Sequence, residues 1–336
     1  PIETLKRAGD MIGTASSVCA MWAMGVTQHE TGSDTSTAIS NLLLTTGNFG
    51  RPGTGGYPMR GHNNVQGADD FGAMNDIFPG YEDVTDERAR KHWAKGWGVD
   101  DLPAEPGYTN HAMPAAAAEG KLKAMYIMGE DMALVDSNIQ HVQQGLANLD
   151  FLVVQDIFFT RTAEFADVVL PAAPNLEKDG TFVNTERRIQ RFHKVFEPIG
   201  DAKPDWVILT ELASYFGYDW GYTHPSQITD EVATLTPILA GVSYKRLEGW
   251  KSLHWPVGAD GQDEPLLYTE GFHFDDGKAR FHPVQWHPPQ EQVDAEFDLH
   301  LNNGRLLEQF HETNLTGKVP GIVHEVPETF VEVSPE

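Results

Sequence analysis

Cysteine is almost absent: Cys19 is the single one in 336 residues. That excludes a disulfide framework, a cysteine-rich zinc site and an iron–sulfur ligand set from this sequence, and it suits a reducing, cytoplasmic compartment. Positive charge is scarce too. The 24 Lys and Arg face 49 Asp and Glu, a net charge of −25. Most of such a surface repels a polyanion, so neither nucleic acid nor an anionic membrane is an expected partner. No apolar run nears the length of a transmembrane helix. No G-x-G-x-x-G or Walker sequence occurs, which removes the main signal for an ordinary NAD or ATP site. An HExxH zinc motif is lacking as well: His311 and Glu312 have no second His at the required spacing, and His282 and His287 lie among prolines in what reads as loop. No metal-ligating residue is assigned.

What is present is a globular composition, 40% hydrophobic and 22% charged, in a chain long enough for two or three domains. "SSVCAMWAMG" (16–25) reads as a short buried strand and "TSTAISNLLLTTGNFG" (35–50) as a helix stopped at Gly47 and Asn48. "RPGTGGYP" (51–58) reads as a Gly/Pro loop, and 79–120 as a long polar surface excursion. A clearer rhythm follows: a strand at 122–129, a helix at 138–150, a buried strand at 151–156, a helix at 160–166 and a strand at 167–172. That spacing predicts crossover units on a parallel sheet, hence an α/β fold of dinucleotide-binding type with helices on both faces. Residues 177–198 read as an irregular or hairpin insert, 205–217 as a helix stopped at Gly217, and 286–298 as a linker before a new element at 299–318.

In an open parallel sheet a ligand sits beyond the carboxyl ends of the strands. Three such ends carry suggestive chemistry: "MGVTQH" (24–29), "MGED" (128–131) and "QDIFFT" (155–160). Gly25 and Gly129 allow close backbone approach. Asp156, just past an apolar strand, is an acceptor suited to two parallel donors, such as those of guanine or a ribose diol. Each has an ordinary reading as well. A glycine after a strand usually makes a turn, and an aspartate there more often caps a helix, as Asp205 would before its own helix.

The stretch "MRGHNNVQGADDFG" (59–72) is different. Its glycines and asparagines form turns for their own reasons, but these do not account for Arg60. An arginine among amide side chains, with little apolar cover, suits a small carboxylate gripped by both oxygens. His62, two residues on, is of a residue type that can donate or accept a proton.

"WAMGVTQH", "TTGNFGRPGTGGYPMRGHNNVQGADDFGAMNDIFPGY", "YIMGEDM", "VVQDIFFTRTAEFADVVLPAA" and "TFVNTERRIQR" follow one another in the order found in formate dehydrogenase catalytic subunits. The chain resembles that group of the molybdopterin oxidoreductases over nearly its whole length. "RGHNNVQGADDFG" is specific to formate dehydrogenases, whereas "VVQD" and "ADVVLPAA" are shared more widely, nitrate reductases included. The resemblance implies a molybdenum or tungsten centre on two molybdopterin guanine dinucleotides. It implies that Arg60 orients the formate carboxylate beside the metal and that His62, where many members have Gln, supplies a hydrogen bond. Met24, Gly25 and Gln28 match a segment lining the pterin. Gly129, Glu130, Asp156, Thr160 and Asp205 match positions around one guanine dinucleotide. Gly304, Arg305 and His311, in "NNGRLLEQFHETN", match the segment that opens the last domain and approaches the pterins.

The family's N-terminal four-cysteine 4Fe–4S segment and its Cys or selenocysteine metal ligand have no counterpart here, and Cys19 does not match the ligand position. The chain is therefore expected to be an internal piece of a larger catalytic subunit, inactive alone. By analogy, 1–62 would close one α/β domain, 63–285 would form a second with a strand-rich insert near 175–203, and 286–336 would be a linker and the truncated start of a C-terminal β-barrel. The implied reaction oxidises formate to CO2. Electrons would leave through the 4Fe–4S cluster of the missing part to electron-transfer subunits, iron–sulfur or flavin and NAD-linked. One alternative is another molybdopterin oxidoreductase such as a nitrate reductase, which "RGHNNVQG" argues against. The other is a cofactor-binding module without catalysis, which the missing metal ligand keeps open.

Overall fold

The computed structural model describes residues 1–334. In chain order the strands are β1 (Cys19–Trp22), β2 (Gly55–Pro58), β3 (Ile77–Phe78), β4 (Glu82–Asp83), β5 (Ala124–Met128), β6 (Phe151–Asp156), β7 (Val168–Pro171), β8 (Gly180–Val183), β9 (Arg188–Phe192) and β10 (Ser252–His254). Two sheets are parallel, β1–β2 and β5–β6–β7; two are antiparallel, β3–β4 and β8–β9–β10. The fold is mixed α/β. It divides into two compact units, each built from separated stretches. The first takes Pro1–Pro106, Asp179–His193 and Tyr222–Gln292; the second takes Gly107–Lys178, Lys194–Gly221 and the chain from Val293 onward.

The second unit follows the expected crossover rhythm. β5 leads to the helix Ile139–Ala147, then β6, a 3-10 turn at Thr162–Phe165, and β7. Ile127, Leu152 and Val154 from the strands meet Val142 and Leu146 from the helix in one core. Val142 and Leu146 are four apart, so they share the helix face turned to the sheet. A Cβ on Gly145 would lie 2.4 Å from the carbonyl oxygen of Pro114. Only glycine lets this helix approach the Ala112–Ala118 helix so closely. The helix expected at 160–166 shrinks to a single 3-10 turn because Asp131 Oδ1 accepts both the backbone N–H of Thr162, at 2.8 Å, and its hydroxyl, at 2.9 Å. The helix Asp205–Tyr215 ends just before Gly217, which has φ +86°.

In the first unit, β1 and β2 pair in parallel with the helix Gly32–Thr45 between them in sequence. Two expectations fail here. β1 is not a buried strand: it alternates between exposed and half-buried, and Cys19 is exposed. A strand with one neighbour has too little cover to be buried on both faces. The Gly/Pro loop at 51–58 also contains β2, a strand that exists through its pairing with β1 and not through local propensity. The hairpin alternative for 177–198 is the one formed, as β8 and β9. With β10 they contribute Val183, Ile189 and Leu253 to a core shared with Leu239, Val242, Leu247 and Val257.

Residues 79–120 are not a plain surface excursion. They include the helix Glu87–Trp97, capped by Asp86, whose carboxylate accepts the N–H of Arg88. Ala89, Trp93 and Ala94 line its buried face, and Trp93 stacks on Phe78 with ring centres 6.0 Å apart. The charges of "ERARKHWAKGW" conceal that stripe from a reading by composition. Among the described residues, 299–334 form a 3-10 turn at Thr316–Lys318 and a helix at Pro320–Glu325, with no strand. Among the described residues, no helix is long and apolar enough to cross a membrane.

Trp93 has no exposed surface. Trp93→Ala should therefore cost about 3–5 kcal/mol of stability, the range for emptying a buried aromatic site. Urea unfolding checks this; a loss below about 1 kcal/mol would mean that the Glu87–Trp97 helix packs on no core.

Candidate functional site

Parallel strands β1 and β2 end together. The N–H of Met59, just past β2, donates to the carbonyl of Trp22 at the end of β1 (2.6 Å). Arg60 is the next residue. Beyond β1 the chain makes one helical turn, Met24–Thr27, followed by Gln28. Met24, Gly25, Gln28 and Arg60 thus all lie past the carboxyl ends of the same strand pair. A Cβ at Gly25 would meet nothing within 4 Å, so the backbone there is open to approach. His62 is exposed on the same loop as Arg60.

The loop is more ordered than its glycines and asparagines suggest. Val65–Asp70 is a short helix that places Gln66 and Asp70 one turn apart on a buried face. Asn64 Oδ1 accepts the N–H of Val183 at 3.0 Å, tying the helix start to β8. Asp70 is fully buried. Its Oδ1 accepts Gln66 Nε2 at 2.8 Å and the Tyr81 hydroxyl at 2.7 Å, and its Oδ2 accepts Trp255 Nε1 at 2.8 Å. Burial pushes the Asp70 carboxyl above the usual carboxylate range, while the bonds from Tyr81, Gln66 and Trp255 pull it back. Burial and the Asp70 charge together push the Tyr81 hydroxyl up. Gln66 Oε1 in turn accepts Arg60 Nη2 at 2.8 Å. A guanidinium has five N–H donors in two forks that share Nη2. One bond to Nη2 therefore leaves a complete fork for a carboxylate. Sequence reading did not single out Gln66, Asp70, Tyr81 or Trp255. The Gln/Asp pair at i,i+4 was the available signal, but the stretch read as loop.

The second unit gathers its candidates at the carboxyl edge of β5–β6–β7. Gly129 follows β5 at φ +67°, with nothing within 4 Å of where a Cβ would be, and its N–H donates to Gln155 O at 2.8 Å. Asp156 ends β6, and its Oδ1 accepts the N–H of Phe158 at 3.0 Å. Burial pushes its carboxyl up, against the amides of Phe158 and Ile157, which pull it down. Thr160 is buried, and its hydroxyl accepts the N–H of Ala163 at 3.1 Å, which ties it to the 3-10 turn. Asp205 is the first residue inside its helix and not the cap. Its carboxylate accepts Gln155 Nε2 at 2.7 Å and pairs with the Lys178 ammonium. Gln155, fully buried, is also bonded to the Tyr126 hydroxyl through its Oε1. Gln155, Lys178 and Asp131 hold this edge together and were not anticipated, since each becomes polar structure only through tertiary contact. Glu130 is half-buried between Gly129 and Asp131.

Gly304, Arg305 and His311 lie in the irregular tail of the second unit, where Arg305 Nη1 is 3.0 Å from His311 Nδ1. The tail reaches the same strand edge through Lys318, whose Nζ lies 5.4 Å from the centre of the Phe158 ring. Among the described residues, no group of three or more His, Cys, Asp or Glu side chains forms a metal-binding cluster.

Residues 12–215 match the model of a family described as "Molybdopterin oxidoreductase". Over 334 residues the chain is 64% identical to "Probable oxidoreductase YjgC" of Bacillus subtilis (strain 168), covering 99% of this chain and 34% of that protein. Over 336 residues it is 54% identical to a Staphylococcus aureus (strain USA300) protein called "Putative formate dehydrogenase", covering 100% of this chain and 34% of that one. The chain thus spans about a third of the length of these relatives. Of solved structures, "Acetylene Hydratase from Pelobacter acetylenicus" is similar at a TM-score of 0.53 and 19% identity, covering 76% of this chain and 37% of that one. That likeness speaks for the fold alone.

The raised Asp156 carboxyl has a consequence for stability. A group whose pKa is higher in the folded chain contributes stability that is fully present below its unfolded pKa, about 3.9 for Asp. That contribution is lost as pH rises through the folded value. Asp156→Asn keeps an Oδ1 acceptor for Phe158 and no longer titrates. Its stability relative to wild type should therefore improve as pH rises from about 4 to about 7. Urea titrations at both ends check this; a pH-independent difference would mean that Asp156 titrates at its ordinary pKa.

Proposed function

We propose, from the premise that this chain belongs to the molybdopterin oxidoreductase family, that it is the part of a formate dehydrogenase catalytic subunit that holds the substrate carboxylate and one guanine dinucleotide of the cofactor. The observation that carries the reading is Arg60. It stands past the ends of two parallel strands, braced through Gln66, with a whole guanidinium fork left to offer. The 54% identity to a protein called "Putative formate dehydrogenase" supports formate as substrate.

Formate has one carboxylate and one C–H bond. A fork of parallel N–H groups takes both oxygens and leaves the hydrogen pointing away from the arginine. The bond to Gln66 sets the guanidinium before substrate arrives, so orientation is built in beforehand. His62 adds a hydrogen bond from the same loop. When bound, the pterin-held molybdenum or tungsten supplies the two-electron chemistry that formate oxidation needs.

The residues present fit a pterin guanine dinucleotide. Met24, Gly25 and Gln28 give an open strand end for the pterin. In the second unit Asp156 supplies an acceptor for guanine donors, and exposed Ile157, Phe158 and Phe159 beside it offer apolar surface to a flat ring. Gly129 and Glu130 border this edge, while Thr160 and Asp205, whose polar atoms are engaged within the chain, shape it. Gly304, Arg305 and His311, in the tail of the second unit, would be further residues holding the pterins. The division at residues 62 and 285, the 4Fe–4S cluster, the electron-transfer subunits and a cytoplasmic location belong to the same proposal.

In the full-length enzyme, Arg60→Lys should raise KM for formate and lower kcat together, because lysine keeps the charge but not the fork. The loss in kcat/KM should be roughly 2–4 kcal/mol, with metal and pterin content unchanged. Wild-type kcat/KM at full metal loading would place the carboxylate clamp elsewhere. For the dinucleotide, Asp156→Ala should lower the pterin and metal content of purified enzyme, since guanine donors would lose their buried acceptor. Normal content would remove Asp156 from the cofactor site.

A further inference from the structure

We propose that Gln66 and Asp70 are positioning residues for Arg60, forming a relay of hydrogen-bond polarity that runs from a buried carboxylate out to the exposed guanidinium. This rests on the reading of Arg60 as the group that binds the substrate carboxylate.

The relay follows from counting protons. Three donors converge on Asp70: Gln66 Nε2, the Tyr81 hydroxyl and Trp255 Nε1. An ionised carboxylate only accepts. Tyr81 has one hydroxyl proton, directed at Asp70, so its oxygen accepts the second N–H of Gln66, 2.8 Å away. Both amide hydrogens of Gln66 are then committed, and its Oε1 must face the other way. There it meets Arg60 Nη2 at 2.8 Å, a group that only donates. No member of the chain can be reversed without setting donor against donor or acceptor against acceptor. The orientation of the Gln66 amide, ambiguous in isolation, is fixed by its neighbours.

Burial grades along the relay. Asp70 is fully buried, Gln66 is 7% exposed, and Arg60 is exposed. An exposed arginine samples many rotamers; an acceptor anchored to a buried anion selects among them. Tyr81 completes the arrangement from φ +67°, a conformation uncommon outside glycine. A purely structural network would be complete with Asp70, Gln66, Tyr81 and Trp255. It gives no reason for the amide oxygen to receive an arginine at the exposed end.

A double-mutant cycle in the full-length enzyme tests the relay. Gln66→Met keeps the length and removes the amide, whereas Gln66→Asn keeps an amide but withdraws it by one methylene. Each should lower kcat/KM for formate roughly ten- to a hundredfold, the scale of a misplaced orienting group, with KM raised and metal and pterin content unchanged. In an Arg60→Lys background either change should add less than about twofold, because the orientation it disturbs is no longer in use. A crystal structure of Gln66→Met should show the Arg60 guanidinium moved from its wild-type position. Asp70→Asn, with one acceptor where three donors converge, should show the same non-additivity together with a lower unfolding temperature. Losses of equal size in both backgrounds, or wild-type kcat/KM in both Gln66 variants, would overturn the relay and leave the clamp standing. Wild-type kcat/KM for Arg60→Lys alone would overturn the clamp and the relay with it.

Discussion

The first unit is organised around one fully buried carboxylate. Asp70 carries a charge that burial disfavours, and three donors from separate stretches of chain offset that cost. Gln66 comes from its own helical turn, Tyr81 from between β3 and β4, and Trp255 from beside β10. Each could pair with water if the chain were open. Only the closed arrangement satisfies all of them without water, so Asp70 specifies how three segments meet as much as it stabilises them.

The second unit applies the same rule with an amide at the centre. Gln155, buried at the end of β6, joins the Tyr126 hydroxyl to Asp205 and, through it, to Lys178. Asp131 similarly closes the 3-10 turn before β7. The polar groups at this strand edge are therefore largely occupied by one another. What remains open is backbone at Gly129 and the apolar side chains of Ile157, Phe158 and Phe159.

Much of the α/β rhythm between 122 and 172 was legible because its contacts are local. Strand, helix and strand follow at short spacing, and Val142 and Leu146 announce the buried helix face. The family was legible from its ordered motifs. The failures share a cause. β2 is a strand only because β1 lies beside it, and the Glu87–Trp97 helix hides three buried positions among charges. In the loop at 59–72, Arg60 stood out because nothing nearby explained it. Gln66 and Asp70 did not, because their partners Tyr81 and Trp255 lie outside the loop, Trp255 far along the chain.

That separation bears on the order in which the molecule is made. Asp70 and Trp255 are 185 residues apart. β5, β6 and β7 lie within one continuous stretch and can pair as soon as it has emerged from the ribosome, since closing short loops is fast. The first unit must wait for a tryptophan synthesised much later. Until then Asp70 is a hydrated, ordinary carboxylate and Arg60 has no fixed bearing. Early stalling or proteolysis would thus yield a chain with its β5–β6–β7 sheet assembled but its 59–72 loop unset.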